Sequence, residues 1–174
     1  MNTQRSEKKA SEFLKSGQPF QRKVQTYEKT FNFPPAKVFQ QFCPTRECDW
    51  IDGWDCKLIY TSTGYMEPNC IFSTDESNLL GPGLWILTRY EPNERLEAVR
   101  IIEDSLVEHF WIDLKDNQNG TSTGIWTLIF TALNQKGNTI LADMPDENPD
   151  LANAIAGLEY FLKNSEMMPI VNAH

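Results

Sequence analysis

The chain has 174 residues, 40% of them hydrophobic, and its 24 acidic and 16 basic groups leave a formal net charge of −8. That length predicts one globular domain, able to bury about 70% of the surface its unfolded form exposes. The acidity excludes a nucleic-acid backbone as the expected partner, because phosphate binding needs clustered Lys and Arg.

The charge is uneven. Residues 1–23 carry Arg5, Lys8, Lys9, Lys15, Arg22 and Lys23 against Glu7 and Glu12, about +4, which leaves about −12 elsewhere. Such an arm is either an ordinary solvated terminus or a contact for an acidic partner or membrane. "MNTQRSEKKASEFLKSG" lacks the apolar core of a secretory leader. No run reaches the roughly 20 apolar residues of a membrane span. The expectation is therefore a soluble, cytoplasmic protein without stable membrane insertion, whose four cysteines are reduced thiols. Residues 1–19 read as a flexible or helical arm ahead of a domain over 20–168.

From Arg22 to Phe33, Tyr27, Phe31 and Phe33 share one parity with mostly polar residues between, the period of a half-buried strand. Pro34-Pro35 ends it. "PAKVFQQFC" predicts a short helix with Val38, Phe39 and Phe42 on one face. "TRECDW" fits a second short turn or helix, broken at Gly53. Six strands are then predicted: "WDCKLIYTST", "NCIFSTDE", "LWILTRY", "RLEAVRIIE", "SLVEHFWIDLKD" and "TSTGIWTLIFTAL". The turns "EPNE" and "NQNG" make hairpins, and Asn119-Gly120-Thr121, a glycosylation sequon, reads better as part of the second turn. Consecutive strands with short turns imply an antiparallel meander. Residues 133–147 fit a short helix and an acidic loop. "NPDLANAIAGLEYFLKN" places Leu151, Ile155, Leu158 and Leu162 on one helical stripe, with Asp150 and Lys163 at ends that suit the helix dipole. Ala152, Ala154, Ala156 and Gly157 keep its first half slim.

The order strand, two short helices, six antiparallel strands and a long C-terminal helix resembles the SRPBCC superfamily of START-like and polyketide cyclase/dehydratase-like proteins. The stretches that carry the resemblance are "FNFPPAKVFQQFCP", "CDWIDGWDCKLIY", "NCIFST", "WILTRYEPNERLEAVRI" and "GTSTGIWTLIFTAL", within roughly residues 20–165. It implies an α+β helix-grip fold: a curved seven-stranded antiparallel sheet wrapped around the C-terminal helix, with two short helices after strand one. It also implies a cavity between sheet and helix, whose chemistry varies across the superfamily and must be argued locally.

"CPTRECDWIDGWDC", residues 43–56, holds three of the four cysteines. The spacing Cys43-x4-Cys48-x7-Cys56-x13-Cys70 lacks the close pairs that bring two thiolates to one zinc, so the cysteines read as packing residues and no metal or cofactor is expected. In this setting Trp50 and Trp54 anchor the corner or roof a pocket mouth, while Asp49, Asp52 and Asp55 face water or cap the turn. No nucleophile elbow, zinc helix or phosphate loop is present. Two weak catalytic candidates remain, Glu108 and His109, adjacent and therefore on opposite strand faces. Phe110, Ile112 and Leu114 share the parity of Glu108, and Trp111 that of His109. An inward Glu108 would pair with Arg89 or Arg100, or act as an acid or base if burial raised its pKa.

Ligand binding has the widest support. Trp54, Tyr60, Phe72, Trp85, Phe110 and Trp126 would line a pocket for a small hydrophobic molecule, with Arg89, Arg100 and Glu108 as polar anchors. The same aromatics, with Phe130, would serve equally as plain core. Two rivals stand beside this reading: a cyclase or dehydratase using Glu108 or His109, and a co-chaperone-like interaction module. An exposed edge strand or aromatic patch would support a homodimer.

Overall fold

The computed structural model describes residues 3–17, 20–78 and 81–169. Helix α1 (Thr3–Ser16) precedes strand β1 (Arg22–Phe31), which runs into α2 (Pro35–Phe39), a 3-10 turn (Gln40–Phe42) and α3 (Pro44–Glu47). Strands β2 (Lys57–Tyr60), β3 (Ile71–Thr74), β4 (Gly83–Glu91), β5 (Arg95–Ile102), β6 (Leu106–Asp116) and β7 (Ser122–Ala132) follow, then α4 (Gln135–Asp143) and α5 (Pro149–Asn164). The strands form one curved antiparallel sheet in the order β1-β7-β6-β5-β4-β3-β2, so the chain is a seven-stranded helix-grip domain.

Alternation builds its inner face. Along β7, Ser122, Gly124, Trp126, Leu128, Phe130 and Ala132 are buried while the residues between them are half-buried on the other face. Leu106, Ile112 and Leu114 on β6, with Leu96 and Ala98 on β5, continue that face across the register of the neighbouring pairs. Against it lie Leu151, Ala154, Ile155, Leu158 and Leu162 of α5. Asn148 caps this helix, its side chain accepting from Asp150 N and Leu151 N at 3.0 and 3.3 Å, with Pro149 in the first turn and Ser165 in the left-handed conformation at the end.

The two edge strands, β1 and β2, are consecutive in the chain. Residues 32–56 must therefore cross the width of the sheet, and the short helices lie in that crossing. Pro35 and Pro44 each stand at the first position of a helix, where the missing N–H has no intrahelical partner to lose. Strand β2 is shorter than the run predicted from 54 to 63, since Trp54–Cys56 belong to the corner and Thr61, Thr63 and Glu67 fold a polar turn on themselves.

A candidate ligand cavity between sheet and helix

Three hollows lie side by side between the sheet, α5 and the crossing segment. Measured as room for the centre of a water molecule, they hold about 50, 40 and 30 Å³. The largest is walled by Trp54, Met66, Phe72, Trp85, Leu87 and Ala98 among others, the second by Trp50, Trp126, Ala154 and Leu158, the third by Trp85, Arg100, Glu108 and Phe130. Phe110 is a wall of all three. It is one aromatic ring at the centre of a divided space. Of the four small residues on α5, Ala154 and Gly157 face inward and Ala152 and Ala156 face solvent. A Cβ on Gly157 would sit 3.4 Å from the Trp50 carbonyl oxygen, so the helix approaches the crossing segment where it is slimmest.

The crossing segment closes this space through its tryptophans. Trp50 Nε1 donates to the Gln41 carbonyl at 3.1 Å and Trp54 Nε1 to the Pro44 carbonyl at 2.8 Å, so both indoles are buried with their one polar atom satisfied. Trp54 lines the largest hollow, whereas Asp49, Asp52 and Asp55 are exposed. Beyond the largest hollow lies a surface groove of about 170 Å³ bounded by Gln40, Cys43, Arg46, Tyr65, Met66 and Tyr90. Met66 belongs to both walls and is the flexible side chain between them.

One charged pair sits on the inner face. Arg100 and Glu108 are direct cross-strand partners, and Arg100 Nη1 donates to Glu108 Oε2 at 3.2 Å while Nη2 donates to the Pro82 carbonyl at 2.9 Å. The guanidinium lies 4.8 Å from the centre of the Trp85 ring. Both residues are almost wholly buried. Desolvation lowers the pKa of Arg100 and raises that of Glu108, and the attraction between them works against both shifts. A Cβ built on Gly83 would fall 2.5 Å from Arg100 Nε and 2.7 Å from its Cγ, so the arginine stem occupies the space a side chain would need.

Other expected site residues lie elsewhere. Tyr60 is 58% exposed and Arg89 is on the outer surface, paired with Glu91 at 2.8 Å and Glu97 at 3.6 Å. The cause is the same for both. Register shifts between Leu58 and Tyr60 in β2, and between Leu87 and Arg89 in β4, insert one residue each and reverse the parity beyond it. Tyr90 thereby turns toward the core, its ring 5.5 Å from that of Phe39. His109 is on the outer face, half-buried with its ring 4.9 Å from Trp111, so it does not join Glu108 in an acid–base pair. Phe72, Trp85, Phe110, Trp126, Arg100, Glu108 and Trp54 all border the hollows.

A residue that sequence reasoning passed over borders two of them. Glu47, the last residue of α3, lines the largest and the second hollow. Half-buried as a residue, it has a desolvated carboxyl: burial pushes its pKa well above the ordinary glutamate value. The signal was present in spacing, since Glu47 stands three, four and seven residues before the buried Trp50, Ile51 and Trp54. The cysteines carry no comparable chemistry. All four are free; Cys43 Sγ accepts from Met66 N at 3.2 Å, Cys70 is buried on the cavity wall, and burial pushes the Cys56 thiol up to about 12. Among the described residues no three His, Cys, Asp or Glu side chains cluster as a metal site would need, and no helix is long and apolar enough to cross a membrane.

No family model and no curated protein matches the sequence. Solved structures do match the fold. Norcoclaurine synthase from Thalictrum flavum, a point mutant in complex with a transition-state analogue, is 8% identical, with a TM-score of 0.64 over 86% of this chain and 99% of that one. Ara h 8.0201 is 11% identical, with a TM-score of 0.59 over 82% and 99%. CalU16 from Micromonospora echinospora is 13% identical, with a TM-score of 0.53 over 85% and 88%. At these identities the likeness concerns the fold alone, and that fold is the helix grip.

Proposed function

We propose that this protein binds a small hydrophobic molecule between its sheet and α5, without a resident cofactor. The observation that carries this reading is the set of three adjoining hollows around the shared Phe110 ring, two of them largely apolar and the third holding the Arg100–Glu108 pair. A uniformly packed core leaves few voids larger than a water molecule. Here the voids adjoin one another, and a flexible methionine separates the largest from a surface groove. Ligand pockets of drug-sized molecules run to several hundred Å³, so the ligand is either small or enters with a swing of Phe110 that joins the hollows. Support of a weaker kind comes from norcoclaurine synthase, a helix-grip protein that holds a small molecule. Native mass spectrometry of the purified protein, followed by organic extraction, tests the reading. A one-to-one adduct released on denaturation is expected. Protein that carries nothing, and takes up none of a diverse hydrophobic panel, overturns it.

Catalysis of the cyclase or dehydratase type has one observation in its favour, the Glu108 carboxyl on a cavity wall. The Arg100 guanidinium already engages that carboxyl, which makes Glu108 a counter-charge first. Binding is therefore the primary proposal, with turnover of a bound molecule as its extension.

A further inference from the structure

The Glu47 carboxyl borders two hollows whose other walls are almost entirely hydrocarbon and aromatic. Its side chain makes no ion pair or hydrogen bond among the described residues, and the residue is half-buried rather than sealed. The nearest basic residue in sequence, Arg46, is directed away, its guanidinium 6.0 Å from the Tyr65 ring in the surface groove. The other cation on the inner face, Arg100, is engaged by Glu108. The groups that feel the Glu47 charge are the Cys48 and Cys56 thiols, whose pKa values it helps to raise. Among the described residues nothing positive pairs with it.

A half-buried acid on an apolar wall with no protein partner is disfavoured in its charged form by desolvation and, where water does not reach it, lacks a hydrogen-bond partner in its neutral form. An incoming group can supply what is missing. A hydrocarbon ligand leaves the carboxyl as it was, and an anionic ligand adds a second negative group beside it. A ligand with a protonated amine brings the opposite charge and up to three N–H donors, and a charge-assisted bond in a low-dielectric site is the strongest polar contact open to it.

We infer that Glu47 is the polar anchor of the cavity and selects hydrophobic molecules that carry a protonated amine. This rests on the cavity being a ligand site. In the bound state the apolar body lies against Trp54, Phe72, Phe110 and Ile112, and the ammonium meets the Glu47 carboxylate at the boundary of the two larger hollows. The carboxyl proton, where present in the empty cavity, leaves to solvent as the ion pair forms.

Three linear probes of one size test this: hexylamine, 1-hexanol and hexanoate, titrated calorimetrically into the wild-type protein and into Glu47→Gln at pH 7.5. Wild type is expected to bind the amine at least about tenfold tighter than the alcohol, the ratio a charge-assisted contact gives, and to bind hexanoate weakest. Glu47→Gln should bring amine and alcohol to within about twofold, chiefly through loss of amine affinity. Equal binding of amine and alcohol by wild type, or a preference that survives Glu47→Gln, overturns the inference and leaves the cavity reading intact. A preference for hexanoate overturns it likewise and points to the Arg100 end. Failure of all three probes removes both. The wild-type ranking decides by itself if the variant is poorly folded.

Discussion

At the scale of single residues, Glu47 is a carboxylic acid set among Phe42, Trp50, Trp54 and Ile112, and its proton affinity ties the fold to pH. In the unfolded chain it ionises near the ordinary glutamate value of about 4.3. In the folded protein it holds its proton to higher pH, so its contribution to stability is complete below the unfolded value and is lost as pH rises through the folded one. Glu47→Gln removes this dependence. Denaturant unfolding should show the variant level with wild type near pH 4 and increasingly the more stable of the two toward pH 8; a gap that stays constant with pH contradicts the assignment. Stability and the proposed recognition therefore pull in opposite directions at this position. The sequence conceals the residue because "TRECD" looks like a solvated charge run, and only its distance from Trp50, Ile51 and Trp54 betrays the face it shares.

At the scale of elements, strand parity was a good guide wherever the ladder was regular. It grouped Glu108 with Phe110, Ile112 and Leu114 on one face of β6 and left open which face that was; the structure makes it the inner one, while Trp85 and Phe72 face the cavity from β4 and β3. It misled at Tyr60 and Arg89, each one step past an inserted residue, because Ile59 and Thr88 are of types that alternate normally and no glycine or proline marks either bulge. The choice of Arg100 over Arg89 as the partner of Glu108 follows from the β5–β6 register, which sets Arg100 directly opposite Glu108, whereas Arg89 stands on β4 opposite Glu97. Glu108→Ala leaves Arg100 buried without its counter-charge and should cost about 3–5 kcal/mol in equilibrium unfolding. The double variant Arg100→Met with Glu108→Leu should recover most of that loss. A double variant as unstable as the sum of the single ones would mean that the two side chains act independently.

At the scale of the molecule, the fold was legible because it depends on the order of elements, and that order is written in periods of two and three to four residues. The long stripe of Leu151, Ile155, Leu158 and Leu162 and the hairpin at residues 117–120 sufficed for the helix and the meander. The division of the cavity was not legible, since it depends on where one ring, Phe110, stands among side chains from separate strands and α5. Occupancy should register in the whole fold. A ligand at a hundredfold excess over its Kd adds about 2.7 kcal/mol, and in a domain of this size that corresponds to a rise of about 5–10 °C in Tm by thermal unfolding. A ligand that leaves Tm unchanged at such an excess does not bind the native state in preference to the unfolded chain.

The contact between Gly83 and Arg100 has a historical consequence. With the arginine stem 2.5 Å from where a Cβ would stand, position 83 cannot drift to alanine while Arg100 is held by Glu108 and the Pro82 carbonyl. A lineage that first exchanges the arginine for a shorter apolar residue becomes free to fill position 83. Once it is filled, the arginine has no room to return. The two positions are thus sterically coupled, and a side chain at 83 is tolerated only where the Arg100 stem gives way.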